Sequence, residues 1–137
     1  MKIPSQLVEV IDIGLAGFRK ENEAFVISIF HKEDEILQII NRNMTEECKS
    51  ENGEFGIVLS ICFDEKEDKE LLSRFTHSHF KFDSIPGNNQ DDGVVYYFLP
   101  LAENSEKSAN KICKLLEKIF LLKTTQHISC EIYGVEE

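Results

Sequence analysis

The chain has 137 residues, 42% of them hydrophobic and 29% charged, with a formal net charge of −10. Those proportions describe one soluble domain large enough for a core without disulfides or structural metals. The negative balance argues against nucleic acid and anionic membrane surfaces as ligands, since both need clustered Lys and Arg.

No apolar run approaches the ~20 residues of a membrane span. The opening MKIPSQLVEV lacks a signal-type apolar block or a small-residue cleavage site, which predicts a cytoplasmic protein. Pro4 and Ser5 then open a predicted helix ending near Lys20, with Leu7, Ile11, Leu15 and Phe18 as its stripe. Gly14 and Gly17 weaken it by about 1 kcal/mol each relative to Ala, and Val8, Val10 and Ile13 would also suit a strand. Ala24–Phe30 (AFVISIF) reads as a strand with Phe25, Ile27 and Ile29 on one face. Residues 34–48 fit two readings. Leu37, Ile40, Met44 and Cys48 keep helical spacing, whereas a hairpin turning at Lys32–Glu35 gives a second strand near Ile36–Ile40. Asn52-Gly53 suits either a helix C-cap or a type I′ turn.

Phe55–Phe63 (FGIVLSICF) reads as a buried strand. Asp64, with Glu67 three residues on, is the acidic relative of a capping box. It predicts a short helix to about Phe75, with Leu71, Leu72 and Phe75 inward. Residues 77–83 (HSHFKFD) alternate as a strand does, Phe80 and Phe82 sharing a face, and 84–93 (SIPGNNQDDG) read as a loop. Val94–Leu99 forms a strand after the turn residues Asp91, Asp92 and Gly93, and Pro100, which cannot donate to a ladder, marks its end or an edge.

Asn104 or Ser105 caps the helix that follows. In it Ala109, Ile112, Cys113, Leu116, Ile119 and Phe120 fall within an arc of roughly 120°. Lys107, Lys111, Lys114 and Lys118 cluster within about 60° on the opposite face, and Leu115, Leu121 and Leu122 lie outside the apolar arc. Residues 104–123 carry five lysines against two glutamates, a net +3 that leaves −13 on the remainder. His127–Gly134 (HISCEIYG) closes the chain as an alternating strand. Strands and helices interleave without a strict βαβ repeat, which predicts a single α+β domain. Its mixed or antiparallel sheet carries helices mainly on one face.

DDGVVYYFLPL, a short polar gap with Ser105, and SANKICKLLEKI together resemble the terminal strand–helix unit of the secretion-chaperone-like fold, over residues 91–122. The resemblance implies a small acidic homodimer that binds another protein without chemistry.

Chemical constellations are sparse. His77 and His79 would point the same way on a strand, the geometry a metal needs from two imidazoles, with Asp83, Asp64 or Asp91 as third ligand. The acidic run Asp64–Glu70 reads as a solvated helix start, and NNQDDG lacks the alternating order of a calcium loop. Cys48, Cys62, Cys113 and Cys130 include no C-x-x-C, and Cys62, Cys113 and Cys130 lie in apolar strands or on the helix's buried face, where a thiol is an inert hydrophobe. His127 and Cys130, three apart on a strand, face opposite sides.

The expectation is a protein-interaction module without catalytic activity, chaperone-, adaptor- or immunity-like, homodimeric and needing no cofactor. It would contact another protein or a second copy of itself through Lys107, Lys111, Lys114, Lys118, Leu115 and Leu122. The alternative is a metal-dependent enzyme or metal-binding protein using His77 and His79.

Overall fold

The computed structural model describes residues 3–21, 24–45, 47–48, 56–87, 93–102, 104–123 and 128–135. Asn52-Gly53, Phe55, Asp91, His127 and the middle of the 84–93 loop lie outside them. Helix α1 (Ile3–Glu21) leads into an antiparallel hairpin, β1 (Ala24–His31) and β2 (Asp34–Asn41). Lys32 and Glu33 both take positive φ, 51° and 73°, the two-residue turn whose twist matches that of the flanking strands. Residues 34–41 therefore follow the hairpin reading, Leu37 and Ile39 entering the main core and Ile40 the opposite face. After a 3-10 turn at Arg42–Met44 come β3 (Ile57–Asp64), α2 (Lys69–Thr76), α3 (His79–Asp83) and β4 (Ile85–Pro86). β5 (Val94–Leu101), α4 (Ser105–Lys118) and β6 (Ser129–Val135) complete the chain.

The six strands form one sheet in the order β4-β5-β3-β2-β1-β6, with every neighbouring pair antiparallel. The main core lies on one face of it. Ile3, Leu7, Ile11 and Leu15 of α1 and Ala109, Ile112 and Leu116 of α4 meet Ile27, Ile39, Leu59 and Leu99 of the sheet. Phe75 and Phe80 from α2 and α3 join the same cluster, the Phe75 ring lying 4.8 Å from Tyr97 and 5.3 Å from Phe63. Fully burying a large apolar side chain gains ~1.5–3 kcal/mol, so this shared burial outweighs the weak helix propensity of a segment such as α1. The expected α+β domain is realised with an antiparallel sheet. On the other face a smaller cluster joins Val26, Ile40, Cys48, Val58 and Phe98. Arg42 Nε holds the turn after β2 over it by donating to the Cys48 carbonyl at 2.8 Å. Among the described residues no helix is long and apolar enough to cross a membrane.

Two local expectations are corrected. Asp64 closes a turn rather than opening α2: its Oδ1 accepts the N–H groups of Lys66 (2.8 Å) and Glu67 (3.0 Å), an Asx turn. The helix begins at Lys69, with Asp68 in the capping position. Residues 77–83 are not a strand: His77 and Ser78 form the turn after α2, and His79–Asp83 is helical. Phe80 is buried and Phe82 89% exposed, because residues two apart lie about 200° apart around a helix. Seryl hydroxyls favour the turns at each end, Ser78 Oγ donating to Phe75 O (2.6 Å) and Ser84 Oγ to Lys81 O (2.7 Å). The edge beside β5 is occupied instead by Ile85–Pro86, Ile85 lying opposite Phe98.

The two α1 glycines play different parts. A Cβ on Gly14 would sit 2.7 Å from the Phe25 ring, while one on Gly17 meets nothing within 4 Å. Within a single copy of the chain, Gly17→Ala is expected to raise stability by about 1 kcal/mol through helix propensity. Gly14→Ala is expected to lower it, since overpacking costs of about 1–3 kcal/mol exceed that gain. Urea unfolding of the two variants measures both.

Candidate functional site

The lysine face is built by α4. Asn104 caps the helix, its Oδ1 accepting the Lys107 N–H at 2.9 Å. Ser108, buried on the inner side, donates its hydroxyl to Ala102 O at 2.6 Å. These bonds fix where the helix starts, and the packing of Ala109, Ile112, Leu115, Leu116 and Ile119 fixes its rotation. Lys107, Lys114 and Lys118 then face solvent. Their span is ~16 Å at 1.5 Å per residue, and none makes an ion pair within 4 Å among the described residues. Lys111 is half-buried, and its Nζ donates to Pro100 O at 3.1 Å. It ties the helix to β5 more than it offers charge to a partner.

Two expected contact residues are corrected. Leu115 is 0% exposed and Leu122 is buried as well. The buried arc of α4 is centred on Ile112, about 40° from the centre expected from the sequence. Ser108 and Leu115 fall inside it, and Cys113 and Phe120 move to its margin. Leu122 is carried inward by the end of the helix: Leu121 takes φ 57° and the Leu122 N–H reaches back to Leu116 O at 3.1 Å. The left-handed residue turns the chain back on the helix, so that the residue after it packs against the last turn. Leu121 is left 63% exposed. It is the one of the three leucines outside the expected arc that a partner can reach.

Among the described residues the chemical candidates are not brought together. His77 caps the end of α2, with Nδ1 donating to Ser73 O at 2.7 Å, and His79 opens α3 with its ring 4.2 Å from that of Phe80. The shared strand face on which their pairing rested does not exist. Among the described residues no group of three or more His, Cys, Asp or Glu side chains is placed to hold a metal ion. The Asp64 carboxyl accepts the backbone N–H groups of Glu67 and Lys66, which hold it below the usual carboxylate range.

Three of the thiols, Cys62, Cys113 and Cys130, are shifted toward the protonated form. Burial pushes Cys130 up to about 11 and raises Cys113, with Glu117 adding to the effect. Cys62 is exposed and not buried as its strand suggested. The alternation of β3 turns it to the face away from the helices, beyond the Val58 cluster. Partial burial still raises it, against a hydrogen bond with Tyr96 that lowers it and with smaller additions from the Asp68 and Asp64 charges. A protonated thiol is a poor nucleophile.

A cavity of about 170 Å³ opens between α1 and the ends of β1 and β6, lined by Ile13, Gly14, Gly17, Ala24, Phe25, Ile132, Tyr133 and Gly134. It contains no acid, imidazole or thiol. Nothing in the hydrophobic pattern of α1 or β6 marked it, because its walls are glycines and the margins of amphipathic elements.

A raised thiol ties stability to pH. Between the ordinary Cys value of 9.0 and about 11, the unfolded chain releases the Cys130 proton while the folded chain keeps it. The unfolded state then binds fewer protons, so stability falls with rising pH across that window. Urea midpoints measured from pH 8 to pH 11 are expected to drop more steeply in the wild type than in Cys130→Ala. No protein-family model, curated protein or solved structure matches the chain.

Proposed function

We propose that the chain is a small acidic protein-interaction module without catalytic activity, cytoplasmic and homodimeric, of a chaperone-, adaptor- or immunity-like kind. The observation that carries this reading is the segregation of charge. Lys107, Lys114 and Lys118 stand in line on the outer side of α4, on a chain whose remainder beyond residues 104–123 carries −13. Such a rail attracts and orients an acidic surface. Exposed ion pairs yield only ~0–1 kcal/mol each, so affinity has to come from apolar contact as well. Leu121, three residues beyond Lys118, is placed to supply it. Among the described residues, His77 and His79 stand at the ends of different helices and Cys62, Cys113 and Cys130 are shifted toward the protonated form, which supports the same reading. The resemblance of residues 91–122 to the secretion-chaperone-like fold agrees with it.

The test compares the wild-type chain with the charge-reversed variant Lys107→Glu/Lys114→Glu/Lys118→Glu in crosslinking capture from extracts of the native host. Lys111 is left intact because it ties α4 to β5. A partner recovered stoichiometrically by the wild type is expected to fall at least tenfold with the variant, and to weaken with salt. A partner held equally by both would contradict the reading, as would stoichiometric bound metal with accompanying turnover.

A further inference from the structure

The sheet ends on β6, whose outer side is unpaired among the described residues. Folded proteins usually blunt such an edge with lysine, proline, a bulge or extreme shortness. The opposite edge is treated in that way, since β4 has two residues and one is Pro86. β6 has seven, SCEIYGV, with no lysine or proline and one charge, Glu131. Its pairing to β1 is continuous from Ala24↔Val135 to Phe30↔Ser129. Above this edge α1 packs on both β1 and β6. Ile13 (55% exposed), Ala16 and Gly17 face solvent there, and the cavity lies between Ile13, Gly17 and residues 132–134.

We infer that β6 pairs antiparallel with β6 of a second copy, about a two-fold axis through Ile132, so that one sheet runs through both copies with α1 packed on its counterpart. Spacing supports this occupant. Neighbouring strands lie about 4.8 Å apart, which puts β6 about 2.4 Å and β1 about 7 Å from the axis. A helix resting between those strands is then about 5 Å from it. The two α1 helices come within about 10 Å of each other, at the upper end of helix packing distances. Ala16 and Gly17 permit that approach, and Ile13 of each copy meets the hollow beside Gly17 of the other. The patch thus carries both knob and hollow, the self-complementarity that a two-fold interface requires. An extended peptide on the same edge would pair with β6 but leave Ile13 and Gly17 uncovered.

The register follows from the sequence of β6. With the axis on Ile132 all seven residues pair, Glu131 lies opposite the partner's Tyr133, and an aliphatic side chain sits on the axis. Moving the axis to Glu131 sets like charges directly opposite each other, which is destabilising. Moving it to Tyr133 leaves five residues paired.

This inference rests on the homodimeric reading above, and the experiment separates the two. Sedimentation equilibrium of the full chain over a range of concentrations is expected to give a dimer of the 15.8 kDa protomer. Ile13→Lys, at an exposed position, is expected to weaken it at least tenfold, and Phe82→Lys, equally exposed but on α3 toward the other end of the sheet, to leave it unchanged. Glu131→Cys/Tyr133→Cys, both at exposed positions of β6, is expected to form a covalent dimer on mild oxidation, and neither single variant is. A monomer at every concentration would overturn both readings. A dimer that resists Ile13→Lys and does not crosslink in the double variant would overturn the β6 pairing and leave homodimerisation standing.

Discussion

One face of the antiparallel sheet is closed by two helices that also pack on each other, and the rest of the molecule follows from that one-sided burial. α1 and α4 lie side by side, α1 over β1 and β6 and α4 toward β5, with α2 and α3 finishing the cover near β3 and β5. Because Ile112, Leu115, Leu116 and Ile119 point down, Lys107, Lys114 and Lys118 have to point out. Because Leu122 is drawn under the end of α4, Leu121 is displaced to the surface. Because α1 sits at the margin of the sheet, its outer side and the edge of β6 are exposed together.

The same packing keeps the chemical side chains of the described residues apart. The described polar side chains that reach the interior mostly serve the backbone. Asn41 accepts the Phe25 N–H at 2.7 Å, Ser108 bonds Ala102 O, and Arg74 donates to Ile119 O at 2.7 Å, closing the end of α4. The Cys113 and Cys130 thiols, packed against the main core, are desolvated and shifted toward the protonated form. What remains for recognition is charge and edge: a basic line on an acidic body, and a strand side with room for another strand.

Much of the fold was legible because burial has a period. Phe25, Ile27 and Ile29, and Ile57, Leu59, Ile61 and Phe63, alternate through strands long enough to be unambiguous. The α4 cap was narrowed to Asn104 or Ser105, and Asn104 fills it, but the rotation of the helix was not legible. Several arcs of similar width collect six of its residues, and only the hydrogen bond from Ser108 to Ala102 shows that a serine belongs on the buried side. Residues 77–83 misled for a related reason, since two phenylalanines two apart fit a strand until the serines at 78 and 84 take up backbone carbonyls. Residues 34–48 needed the positive φ at Lys32 and Glu33, which neither residue type advertises. The fate of Leu122 depended on a left-handed Leu121 where glycine is usual. Of the candidate site, the lysines were readable from spacing alone. The β6 edge and the Ile13 hollow were not, because they arise from which strand ends the sheet, a fact of topology and not of local pattern.

The direction in which α4 faces is the most exposed point of this account, and paired truncations of neighbouring residues test it. In chemical denaturation Leu115→Ala is expected to cost about 2–5 kcal/mol, as for a fully buried leucine. Lys114→Ala, one residue away on the wet side, is expected to stay within about 0.5 kcal/mol of wild type. A small effect at Leu115 combined with a large one at Lys114 would mean that the helix is turned the other way, with its ammonium groups inward, and the account would fail.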